Sequence, residues 1–144
     1  MALEKYKGLK QKIIANDVDI LPYILDLTVF CNTKGYKVSP APVIKIDNTK
    51  EYIKDIIGKT GYYDPSDDSI TLITAGRHPI DICKTYIHEL THYKQKLEGK
   101  LTPEVIEKLS DPRYMEKDKK LMELEQEAYL NSGIYFRLWR DSFK

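Results

Sequence analysis

The chain has 144 residues, with 23 Lys and Arg against 22 Asp and Glu for a formal net charge of +1, three His and two Cys. That length suits one domain spanning 1–144, and 42% hydrophobic residues with seven Gly and seven Pro exclude a low-complexity or compositionally disordered chain. Near-neutrality removes the overall electrostatics of a nucleic-acid-binding protein, and Cys31 and Cys83 form neither a disulfide framework nor a paired-cysteine metal motif.

Residues 3–14 place Leu3, Tyr6, Leu9, Ile13 and Ile14 at helical spacing on a lysine-rich segment. This charged start has no apolar signal region. No stretch reaches the roughly 18 apolar residues of a membrane span, so a cytoplasmic, membrane-free protein is expected. A second helix follows Asp19, with Pro22 in its first turn, and ends near Gly35. Pro40 and Pro42 impose an extended chain before the short strand Val43-Ile44-Lys45-Ile46. A brief helix is expected from Asn48 or Thr49 to Gly58, then a hairpin from Thr60 to Ile73 whose turn is Asp64-Pro65-Ser66-Asp67-Asp68. Pro79 opens a long helix carrying Ile80, Cys83, Ile87, Leu90 and Leu97, closed by Gly99. Thr102-Pro103 starts another helix, ended by Asp111-Pro112, and a last one runs from about Met115 to Trp139. The expected fold is α+β: a small, mostly antiparallel sheet packed with five or six helices.

The long helix contains His88-Glu89-Leu90-Thr91-His92. Histidines at i and i+4 stand one turn apart on the same side, where their ring nitrogens converge on one ion. Glu89 is rotated by about 100° from His88, too far to ligate easily but close enough to reach a water beside the ion. That pattern suits hydrolysis at Zn²⁺, with Glu89 as general base. The plainer alternative is a pair of satisfied surface or core histidines. The motif uses two of only three histidines in the chain, which favours the metal.

A catalytic zinc site needs a third protein ligand. No histidine lies downstream, and His78 would have to fold back over the start of the helix. In the last helix, Leu121, Leu124, Ala128, Ile134, Tyr135 and Leu138 define an apolar stripe. Glu127 lies roughly 55–60° from its centre, and Glu123 and Glu125 roughly 100° away. A carboxylate turned towards a core needs a partner. Glu127 is therefore the expected third ligand and Glu123 the next candidate; a core-edge glutamate paired with Lys or Arg is the alternative reading of Glu127.

His88-Glu89-Leu90-Thr91-His92 followed by Glu127-Ala128 on a second helix resembles the gluzincin class of zinc metallopeptidases, and at this length its minimal members, such as the ImmA/IrrE-like and phage-type metallopeptidases. The resemblance spans roughly residues 60–135. It implies a zincin-like fold in which His88, His92 and Glu127 are zinc ligands and Glu89 is the catalytic base and acid. Asn131 stands where the class has a polar residue that orients a histidine. An edge strand, locally residues 70–73, would pair with an extended substrate. The expected function is zinc-dependent hydrolysis of a peptide bond in a protein or peptide substrate; a catalytically latent zinc-binding regulatory or interaction module is the alternative. Tyr63, Tyr93, Tyr129 and Tyr135 lie near the motifs, with packing the expected role of each, and Arg77 with His78 is expected to be a loop pair.

Overall fold

In the computed structural model, which describes residues 20–48, 60–105 and 119–143, Pro22 sits in the first turn of helix α1 (Leu21–Thr33). Gly35, at φ 108°, reverses the chain so that the Tyr36 amide reaches back to the Cys31 carbonyl at 3.1 Å. Only a residue free of Cβ crowding takes that φ cheaply, which is why α1 ends there.

Three strands follow: β1 (Val43–Asp47), β2 (Gly61–Asp64) and β3 (Ser69–Ile73), in the order β1-β3-β2. The β2–β3 pair is the expected hairpin, antiparallel with Gly61 opposite Leu72 and Asp64 opposite Ser69. Its turn is tied by the Asp64 carboxylate, which accepts from the Ser66 amide at 2.9 Å, and by Asp67, which accepts from the Ser69 amide at 3.1 Å. β1 joins the opposite side of β3, in parallel. All five residues of β3 are buried, as befits a central strand covered on both faces.

The expected fold class needs correction. The sheet has three strands and is mixed rather than mostly antiparallel, and the described residues hold four helical segments rather than five or six. Besides α1 these are α2 (Pro79–Leu97), α3 (Lys119–Asp141) and a turn over residues 103–105. The fold is a small α+β one. Strand direction is set by the connection and not by a strand's own residues, and β1, with burial alternating poorly along it, carries no sign of its partner. The helices expected at 3–14 and 49–57, and most of the one opening at Pro103, lie outside the described residues.

α2 lies between the sheet and α3 and carries the motif. The His78 imidazole caps its first turn, accepting from the Ile80 amide at 3.1 Å, and Pro79 occupies the first helical position. Cys83, Tyr86, Ile87, Leu90 and Tyr93 are all 0% exposed. Burial of Ile87 and Leu90 contributes about 1.5–3 kcal/mol each. Helix α3 answers with Leu121, Leu124, Ala128, Phe136 and Trp139, and the Trp139 indole donates to Asp26 of α1 at 2.9 Å. The motif helix is thus held from both sides. No helix among the described residues is long and apolar enough to cross a membrane.

Candidate metal centre

The apolar side of α2 is spent on the core, so its polar side turns His88 and His92 towards α3, their rings 5.0 Å apart and nearly perpendicular. Glu125 of α3 meets them. Its Oε1 is 2.6 Å from His92 Nε2 and its Oε2 is 3.4 Å from His88 Nε2, with side-chain exposures of only 8–16%. One ligand atom from each of the three lies within 4.8 Å of the others, a cluster able to hold a metal ion.

The donor set and spacing fit a small dication. Nitrogen and oxygen ligands at about 2.0–2.2 Å from a tetrahedral ion stand about 3.3–3.5 Å apart. The His88–Glu125 distance of 3.4 Å already meets that, while the 2.6 Å His92–Glu125 contact is a direct hydrogen bond that must open by under an ångström. Two neutral imidazoles and one carboxylate are the ligands of hydrolytic zinc sites.

The charges in the cluster are mutually supporting. Burial alone would raise the Glu125 carboxyl, but hydrogen bonds from His88 and His92, with their positive charge, outweigh it and hold the group at about 2. Burial alone would lower His92; the bond to Glu125 and the nearby Glu89 charge overcome this and raise it. For Glu89 burial wins, and its carboxyl is raised despite the two histidines and the Tyr63 backbone amide that donates to it. A carboxylate lifted in this way is better matched to moving protons near neutrality.

The structure places Glu89 beside His88 and His92, and it sets Glu125, not Glu127, against the histidines. Glu127 instead accepts a hydrogen bond from Gln95 at 2.8 Å, and Glu123 is exposed. The reason lies in the stripe. Ile134 and Leu138, counted as core, are 38% and 42% exposed, whereas Phe136 and Trp139 are 3% and 1% exposed. Replacing the first pair by the second rotates the buried face by roughly 50°, leaving Glu125 roughly 45° from its centre and Glu127 far outside it. The signal was present in two large aromatics at helical spacing.

Other expected roles move with it. Asn131 hydrogen-bonds Tyr36 rather than a histidine. His78 is a helix cap, and Arg77 staples the sheet to α2 through the Thr60 carbonyl at 3.0 Å and the Thr85 hydroxyl at 3.3 Å. Residues 70–73 form the central strand, so the sheet edges are β1 and β2. Of the four tyrosines, Tyr63 donates to Asp68 at 2.5 Å, Tyr93 donates to the Pro40 carbonyl at 2.6 Å, and Tyr135 packs edge-on against Tyr36. Tyr129 alone of these faces the cluster: it is 65% exposed with its ring centre 4.4 Å from that of His88. Partial desolvation raises its phenol, and the charges of Glu125 and Glu89 add to this. Compared with known proteins, no family model matches the chain, and no curated protein or solved structure matches it.

Proposed function

We propose that this chain is a small zinc-dependent endopeptidase of gluzincin type, in which His88, His92 and Glu125 hold the ion and Glu89 moves the proton. The observation that carries the reading is the convergence of two histidines one turn apart with a carboxylate from a second helix, beside a half-buried glutamate outside that cluster. A zinc ion held there supplies Lewis acidity, acidifying water and polarising the scissile carbonyl.

The chain's own groups supply the rest. The Glu89 carboxylate accepts the proton of the attacking water and returns it to the leaving amine, work typically worth 10²–10⁴-fold. The Tyr63 backbone amide favours the ionised form of that carboxylate. The Tyr63 amide is available because of the ladder's alternation. Ile73 donates to the Thr60 carbonyl at 3.1 Å, so Gly61 and Tyr63 turn their backbone groups outward from β3. The outer edge of β2 therefore adjoins Glu89, and an extended peptide or protein segment added there would lie beside the reacting groups. Two buried free cysteines suit a cytoplasmic setting.

Incubating the zinc-loaded protein with a mixed peptide library and reading new termini by mass spectrometry tests the proposal. Cleavage by the wild type, reduced about 100-fold or more in Glu89→Gln with zinc retained, is expected. Undiminished cleavage by Glu89→Gln overturns the mechanism, and zinc binding without any cleavage favours a latent regulatory module.

A further inference from the structure

We infer that Gln95, clamped by α3, is a positioning residue that fixes the ring orientation and tautomer of His92 for ion binding. The inference rests on the metal reading above. Gln95 is 0% exposed and sits three residues after His92 on the same face of α2. Its amide nitrogen donates to the Leu124 carbonyl at 3.0 Å and to Glu127 Oε1 at 2.8 Å. A carbonyl oxygen offers no proton, so the amide cannot be turned over without setting oxygen against oxygen.

The amide oxygen is thereby committed to the remaining neighbour, His92 Nδ1, at 2.9 Å. An oxygen that only accepts requires the proton on Nδ1, and Nε2 is left to face Glu125 and the ion. His88, whose ring rests edge-on against Tyr129, has no counterpart to this arrangement among the described residues.

The same amide spans two helices. Leu124 and Glu127 flank Glu125 on α3, so the bonds that orient His92 also fix the position along α2 at which Glu125 is presented. One buried side chain thus sets two of the three ligands. Glu127, read from sequence as a ligand, acts through Gln95 instead.

Zinc affinity measured by competition with a chromophoric chelator, together with long-range ¹H–¹⁵N spectra of the zinc-loaded protein, tests the assignment. The wild type is expected to show His92 bound through Nε2 with a protected proton on Nδ1. Gln95→Leu should bind zinc about 10–100-fold more weakly and lose that proton's protection, with the far-ultraviolet circular dichroism of the wild type. Glu127→Ala removes one of the two clamps without emptying the core, and should weaken binding by roughly 3–10-fold in the same spectroscopic direction. Zinc binding by the wild type with unchanged affinity and an unchanged His92 signature in both variants overturns the inference alone. A wild type that takes up no zinc overturns the metal reading and the inference with it.

Discussion

Glu125→Gln removes one charge from the His88–His92–Glu125 cluster and leaves the shape almost unchanged, so it isolates the electrostatics of the pair. A carboxyl held at about 2 rather than its ordinary 4.5 stabilises the fold by about 3 kcal/mol, counted once for the pair because the same contact raises His92. The side chain is only 16% exposed, so solvent screens little of this. Because the folded value is depressed, the contribution is complete above the unfolded value near 4.5 and disappears as pH falls through about 2. For His92 the sign is opposite: its folded value is raised, so its share is complete below the ordinary 6.5 and is lost as pH rises through the folded value. The metal-free protein should therefore gain most from this pair between roughly pH 4.5 and 6.5. Urea unfolding of metal-free wild type and Glu125→Gln at about pH 5.5 and about pH 3 reads the difference. The wild type should lose about 2 kcal/mol more than the variant over that interval. Parallel profiles, with a constant gap between the two proteins, would refute the pairing.

Two further substitutions test how the site is mounted. A Cβ at Gly61 would stand 2.7 Å from the Thr71 carbonyl oxygen and 2.9 Å from Thr85 Cγ2, pinched between β3 and α2. Gly61→Ala should cost about 1–3 kcal/mol and lower the melting temperature by roughly 3–9 °C; an unchanged melting curve would show that β2 is not seated this closely. Trp139→Phe deletes the 2.9 Å bond to Asp26 and also shrinks a ring that is only 1% exposed, so both effects destabilise. A loss of about 1–3 kcal/mol is expected by chemical denaturation, and a loss indistinguishable from zero would remove this bond from the α1–α3 contact.

Much of the site was legible because helical periodicity is strong over long amphipathic segments. Pro79, Gly99 and the apolar stripe bracket α2 to within two residues, and the His88–Glu89–His92 spacing fixes which side chains share its face. The hairpin was legible too, since Asp and Pro at its turn act through local geometry. What failed was everything decided between elements. The parallel pairing of β1, and hence the centrality of β3, depends on the route of the chain and not on Val43–Asp47. Which carboxylate meets the histidines depends on which way α3 is rotated, and that rotation follows the bulk of Phe136 and Trp139. Ile134 and Leu138 continue the apolar pattern yet remain partly exposed, so periodicity alone favoured Glu127. Gln95 gave no signal, because a polar residue in a helix reads as solvated until a neighbouring helix covers it.

Zinc content per chain, measured by elemental analysis on wild type, His88→Ala, Glu125→Ala and Glu123→Ala after equilibration with limiting metal and gel filtration, tests the central claim most directly. A site built from His88, His92 and Glu125 gives about one zinc in the wild type and in Glu123→Ala, and essentially none in His88→Ala and Glu125→Ala. A wild type without zinc, or a Glu125→Ala variant that retains it in full, would rule out a zinc site built on these three residues.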